Sequence, residues 1–334
     1  MKKVLAILVA LCLGLSLVAC GTSEKATDDT SSNTASNPDD AASDLDDYTI
    51  GFFVKDTTNS FWRYVVNGAQ IRAEERGVKL VEYTPTEASN VEEQISLIED
   101  AIEAGVDAIC IVAVDSDAVQ SALKQALDAG IPVITFNTRV PLDGISTFCG
   151  VENYEGYEKV AEQVFADINY EGDVVIIEGV VSAMANKDRV QAGEDTAAKY
   201  ERINIISSQI GNNDRAMAMS VMENLLQTYP QIDVVLAHND NTAIGALQAV
   251  QEAGREREIK IVGFDGTVEG IESVLADGIL YSLDQSPYQQ GAYAVQAAID
   301  VLDGKTVEEN IATGGTLITK ENGQSILDEF YSTE

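Results

Sequence analysis

From Tyr48 onward the chain alternates two hydrophobic patterns. Short β-branched and aliphatic runs are followed by longer stretches whose apolar positions recur at helical spacing. Ile50–Val54 reads as a strand, and Asn59–Arg76 as a helix stopped at Gly77. Val78–Tyr83 is a second strand. Ser89-Asn90-Val91-Glu92 has the form of a capping box and opens a helix that ends near Gly105. Asp107–Val114 is an almost unbroken apolar strand, followed by a helix to Ala129 and a Gly130-Ile131-Pro132 break. Val133–Phe136 and Ile145–Val151 follow as strands. The strand starts recur at the period of βαβ units in a parallel sheet.

The pattern then begins again. Asp173–Glu178, Ile203–Ser207, Asp233–Ala237, Lys260–Phe264 and Ile279–Leu283 read as strands with helical stretches between them. Runs such as Val-Val-Ile-Ile and Val-Val-Leu-Ala are too continuously apolar for a sheet wet on one face, and suit strands covered by helices on both. A last helix over Pro287–Leu302 ends at Gly304, with a late strand near Thr316–Ile318. The expected fold class is α/β: two doubly wound parallel-sheet lobes, the first in strand order 2-1-3-4-5. Open sheets of this kind bind ligands beyond the carboxyl ends of their strands. Two halves facing each other would grip one ligand between them.

Before Tyr48 the pattern changes twice. Lys2 and Lys3 precede an apolar run, Val4–Ala19, which is short for a bilayer span and suits a cleaved leader. It ends Leu17-Val18-Ala19-Cys20-Gly21 and resembles the bacterial lipobox, whose cysteine is acylated and becomes the mature N-terminus. Gly21–Asp47 follows, rich in Ser, Thr, Asn, Ala and Asp and without an aromatic residue, so it reads as a disordered acidic tether. A domain held outside the membrane on such an anchor has no access to ATP or NAD, and no cofactor is expected.

A formal net charge of −34 argues against nucleic acid or an anionic membrane surface as partner. Four cysteines occur: Cys12 falls in the leader, Cys20 at the anchor, and Cys110 and Cys149 in apolar strands. The last two read as buried free thiols, one strand apart and out of disulfide reach. His238 is the sole histidine, which rules out a metal site or nucleophile set built from several histidines.

The strand ends carry the candidate chemistry. After the first comes Lys55-Asp56-Thr57-Thr58-Asn59-Ser60-Phe61-Trp62, with no glycine to cradle a phosphate but with an ammonium, an amide and two adjacent rings. Such a mixture suits a sugar, which offers hydroxyls for directed bonds and a C–H face for stacking. Asn137-Thr138-Arg139 follows the fourth strand, Glu178-Gly179 and then Arg189 the sixth, and His238-Asn239-Asp240-Asn241 the eighth. Gly263-Phe264-Asp265-Gly266 and Asp284-Gln285 complete the set. Asp240 and Asn241 read as helix caps.

From about Tyr48 to Thr319 the chain resembles the periplasmic sugar-binding proteins of ABC transporters, the ribose, allose and galactose group. The resemblance rests on Lys-x-x-x-Asn-x-Phe-Trp (55–62), on Ile176-Ile177-Glu178-Gly179 with Arg189, on Ala237-His238-Asn239-Asp240 with Ala243-Ile244-Gly245-Ala246, and on Val262-Gly263-Phe264-Asp265-Gly266. It implies that Phe61 and Trp62 stack on the sugar and that Lys55, Asn59 and Asn137 bond it from the first lobe. Arg189, Asn239 and Asp265 would bond it from the second, with Gln285 at the crossover. It also implies a first lobe of residues 48–152 and 286–312, a second of 153–285 and 313–334, and a hinge near 150–153, 284–286 and 313–316. Asn137 stands where the family often has aspartate, and Asn213 precedes Asp214-Arg215 where many members have an aromatic. Both departures bear on substrate identity more than on function class.

The reading that follows is a monomeric, lipid-anchored receptor that closes on a monosaccharide and delivers it to an ABC permease, without enzymatic activity. Three rivals stand beside it. The same fold could hold an inositol, a nucleoside or a furanose signal. It could be a glycosidase using Asp265 and Glu178. It could be a sensory subunit presenting its ligand to a kinase or chemoreceptor.

Overall fold

The structure is a computed structural model describing residues 48–56, 59–87 and 89–331. The leader, the lipobox cysteine Cys20, the tether, Thr57 and Thr58 lie outside the described residues. The first half runs β1 (Thr49–Phe53), α1 (Ser60–Arg76), β2 (Lys79–Tyr83), α2 (Val91–Glu103), β3 (Ala108–Ile111), α3 (Gln120–Asp128), β4 (Val133–Phe136) and β5 (Thr147–Gly150). The second runs α4 (Asn153–Asp167), β6 (Glu171–Glu178), α5 (Met184–Ala198), β7 (Arg202–Ile210), α6 (Arg215–Thr228), β8 (Val234–Ala237), α7 (Asp240–Glu252), β9 (Lys260–Val262), α8 (Val268–Leu275) and β10 (Ser282–Leu283). The chain ends with α9 (Pro287–Leu302), β11 (Asn310–Ala312), β12 (Leu317–Ile318) and α10 (Gly323–Tyr331).

Two parallel sheets result. The first has the order β11-β5-β4-β3-β1-β2, and the second β7-β6-β8-β9. β10 pairs antiparallel with β12 and continues the second sheet through parallel bridges at Val262–Tyr281 and Asp265–Asp284. The fold is thus the expected α/β one, with the 2-1-3-4-5 order in the first sheet and β11 added at its far edge. The chain leaves the first sheet after β5, returns through α9 and β11, and leaves again to form β12.

The hydrophobic alternation explains the layers. Ile50, Phe52 and Val54 enter one core with α1 and α9, while Phe53, Ile109 and Ile111 enter another on the opposite face. Every residue of β3, β4, β5 and β8 is buried, as strands covered on both faces require. Edge strands β2, β11 and β7 carry most of the exposed strand positions. Cys110 and Cys149 are buried free thiols with β4 between their strands.

Several local readings shift. α2 is capped by Asn90, not Ser89: Asn90 Oδ1 accepts from Glu93 N, and Glu93 answers by accepting from Asn90 Nδ2 and Thr86. β3 stops at Ile111 because the buried Gln94 side chain takes over, donating to Val112 O and accepting from Val114 N. β11 and α10 escape the pattern, being too short or too late to show a period.

α1 and α9 meet backbone to backbone. A Cβ on Gly68 would lie 2.0 Å from Tyr288 O, and one on Gly291 1.9 Å from Val65 O. Neither neighbour is a side-chain tip that could swing aside. Gly291→Ala should therefore destabilise the protein by about 1–3 kcal/mol, the usual cost of overpacking, read as a lowered urea midpoint at unchanged slope. An unchanged midpoint would show that the helices are not in this contact.

Candidate functional site

The site is assembled from strand ends and helix starts. Lys55 follows β1, is buried, and donates from Nζ to Thr138 Oγ1 at 3.2 Å. Asp56 accepts from Asn59 N at 2.8 Å and so closes the turn into α1. Asn59 is the N-cap of that helix, its Oδ1 accepting from Phe61 N at 3.0 Å. What Asn59 can offer a ligand is therefore its Nδ2 donor. Phe61 and Trp62 occupy the first turn, both buried, with ring centroids 4.9 Å apart and planes perpendicular.

Asn137 follows β4 with φ 58°. Its Oδ1 accepts from Thr138 Oγ1 at 3.2 Å, its Nδ2 donates to Gln285 Oε1 at 3.1 Å, and its carbonyl accepts from Asn153 Nδ2 at 3.0 Å. Gln285 passes the chain on, donating from Nε2 to Asp265 Oδ1 at 2.6 Å. Gln290 Nε2 and Thr313 Oγ1 both donate to the Gln285 carbonyl.

On the second sheet, Arg189 projects from α5. Its Nε donates to Asn153 Oδ1 at 2.9 Å and its Nη1 to His238 O at 2.9 Å, and the guanidinium lies 3.9 Å from the Phe264 ring centroid. Asp265 Oδ1 is 4.0 Å from Nη1. Asn239, not Asp240 or Asn241, caps α7: it forms a reciprocal capping box with Thr242, which again commits Oδ1 and leaves Nδ2. Asp240 is fully buried one residue later and accepts from Thr267 and Ser282. Asn241 instead bonds Arg215 and the Asn213 carbonyl.

Burial dominates the electrostatics. The Lys55 ammonium is lowered to about 7, first by burial and then by the Arg189 charge. Burial and the neighbouring Asp240 carboxylate push Asp265 well above the usual carboxylate range, against the pull of Arg189. His238 is held well below its ordinary value by burial, Arg189 and Lys55, and is neutral. Backbone strain clusters here as well: Asn137, Asn213 and Asp265 all have positive φ, as does Ser286 at the crossover.

Eight of the nine sequence-derived ligand residues line one narrow cavity: Lys55, Asn59, Phe61, Trp62, Asn137, Arg189, Asn239 and Asp265. Gln285 does not line it. It is fully buried behind the wall and ties Asn137 to Asp265. Asp56, Ala185, Asn213 and His238 also line the cavity. Asp56 and His238 sit beside chosen residues at the same strand ends, and that adjacency was the available signal. Ala185 has no chemistry to betray it. Glu178 is turned toward Ser208 and Asn186 and does not line the cavity. Among the described residues no group of three or more His, Cys, Asp or Glu side chains is placed to hold a metal ion.

Comparison with known proteins agrees with this architecture. The chain is 32% identical over 275 residues to the ribose import binding protein of Bacillus subtilis, covering 82% of this chain and 88% of that protein. It is also 32% identical over 268 residues to the D-ribose/D-allose-binding protein of Pseudomonas aeruginosa, covering 78% and 83% respectively. A solute-binding protein of Actinobacillus succinogenes with bound D-allose superposes with a TM-score of 0.78 at 28% identity, covering 83% of this chain and 99% of that one. One from Burkholderia graminis with D-arabinose reaches 0.80 at 26% identity, covering 85% and 99%. Residues 50–306 match the periplasmic binding protein domain, so the chain belongs to that family, with the fold its two wound sheets already display.

Proposed function

We propose that this chain is an extracytoplasmic receptor that closes its two lobes on a monosaccharide and hands it to the transmembrane subunits of an ABC transporter. The observation that carries the reading is the single cavity into which both sheets direct Lys55, Asn59, Phe61, Trp62, Arg189, Asn239 and Asp265. The set suits a sugar: rings for a C–H face, amide and guanidinium donors for hydroxyl oxygens, and a carboxyl for hydroxyl protons. Relatives described as binding ribose, allose and arabinose support the same ligand class.

The lobes are residues 48–152 with 286–312, and 153–285 with 313–334, hinged at the three crossings. Contacts across the lips fit a closed state: Met184 N donates to Ser116 Oγ at 3.1 Å, and Lys187 Nζ to Asp117 at 3.1 Å. Sugar bridging both walls would shift the population toward that state. Cys20 would carry the lipid anchor, with Gly21–Asp47 as its spacer, and the receptor would act as a monomer without cofactor or turnover. Of the two carboxylates named for a glycosidase, Glu178 does not line the cavity, while Asp56, which does, accepts from Asn59 N and closes the turn into α1.

Two expectations test this. Trp62 is the sole tryptophan, so D-ribose, D-allose or D-arabinose should change the intrinsic fluorescence on binding. Arg189→Ala should weaken the tightest of them by about 100-fold or more, since it removes the guanidinium donors that the cavity presents to sugar hydroxyls. Calorimetric titration of a variant that melts as a folded protein measures the loss; undiminished affinity would overturn the assignment.

The second concerns pH. Lys55 binds its proton less tightly folded than unfolded, so stability tied to it rises as pH climbs from about 7 toward 10.5. Below about 7 the full cost of the buried ammonium is present. Lys55→Met removes that group, so the wild type should gain thermal stability relative to the variant between pH 7 and 9. Parallel melting curves across that range would contradict the buried ammonium.

A further inference from the structure

Two cavity-lining residues hold side-chain polar atoms that are buried and have no hydrogen-bond partner: Asn213 Oδ1 and His238 Nδ1. Both belong to the second-sheet side, whereas the rings of Phe61 and Trp62 start from the first. Arg189 Nη1 lies 3.4 Å from His238 Nε2. A guanidinium has only donors, so Nε2 is the acceptor of that pair and the neutral ring carries its proton on Nδ1. The orphan atoms are thus one acceptor and one donor, both uncharged.

The chain keeps this arrangement by specific means. Asn213 holds φ 60°, which asparagine tolerates better than larger residues, and its carbonyl is fixed by Asn241 Nδ2 at 2.8 Å. A Cβ on Gly179 would lie 2.5 Å from Asn213 Oδ1 and 2.6 Å from the His238 ring. Only glycine leaves both side chains where they are.

We propose that Asn213 and His238 form a neutral hydroxyl-recognition wall, so that the ligand is hydroxylated on the side it turns to the second sheet and apolar only toward Phe61 and Trp62. A hydroxyl donates and accepts at once and answers both orphan atoms. An anionic group could not satisfy Asn213 Oδ1, and a hydrocarbon face would leave both atoms unpaired. The substrate class is therefore a fully hydroxylated sugar or polyol, with deoxy sugars rejected at this wall. This deepens the sugar-binding reading above and rests on it.

The test uses whichever of D-ribose, D-allose and D-arabinose binds most tightly, with its monodeoxy analogues, titrated calorimetrically. In the wild type one analogue should bind about 10- to 100-fold more weakly than its parent, the expected effect of unpairing a buried polar group. Asn213→Gly, which tolerates the same backbone conformation, should weaken the parent by a similar factor and that analogue little, so their ratio falls toward one. Gly179→Ala should do the same by displacing both side chains. Asn213→Asp retains an acceptor and should keep the discrimination. If Asn213→Gly and Gly179→Ala leave the parent-to-analogue ratio at its wild-type value, or if no analogue is discriminated, the wall is not a recognition element. Failure of the wild type to bind any of the three sugars would instead overturn the sugar reading itself, and this proposal with it.

Discussion

Everything at the cavity depends on one buried chain of hydrogen bonds that crosses from sheet to sheet. Lys55 donates to Thr138, Thr138 to Asn137, Asn137 to Gln285, and Gln285 to Asp265. Each member is at least nine-tenths buried, so each would carry a desolvation cost if its partner withdrew. A second path runs alongside, from the Asn137 carbonyl through Asn153 to Arg189. Buried networks of this kind are costly when half satisfied and define one geometry when complete. Asn137 is the shared node: its amide and carbonyl serve both paths, and a positive φ lets a single residue do so. An ionised aspartate there could accept but could not donate to Gln285, which gives the amide at this position a physical sense.

The same economy governs charge. Lys55, Arg189, Asp265 and neutral His238 line one cavity, and burial works against every ionised form. Helix caps supply polarity without adding charge. Asn59 and Asn239 spend one amide atom on a helix start and present the other to the cavity, so the secondary structure itself fixes where the donors point.

Much of the fold was legible because parallel strands buried on both faces leave long apolar runs, and the alternating periods mark the helices between them. Legibility fails where a side chain substitutes for backbone. Gln94 ends β3 without any break in the hydrophobic run, and the register of the α2 cap depends on Glu93 reaching back to Asn90. In the cavity, residues with directional chemistry at strand ends were readable, since the topology brings those ends together. Gln285 shows the limit: its type and position suggested a contact, but its depth behind Asn137 and Asp265 is a property of three crossings that no local pattern encodes. His238 shows the converse. A sole histidine cannot build a multi-histidine metal site, yet its place after β8 puts one imidazole on the cavity lining, and spacing along the chain does not encode that.

The glycine-lined meeting of α1 and α9 has a mechanical meaning. α9 begins directly after the Gln285 crossover, and α1 begins with the aromatic pair. With their main chains in direct contact, the two helices have no cushion of flexible side chains between them at Gly68 and Gly291. If the chain hinges at Ser286 as proposed, a rotation of α9 would carry α1, and with it Phe61 and Trp62, through this backbone contact.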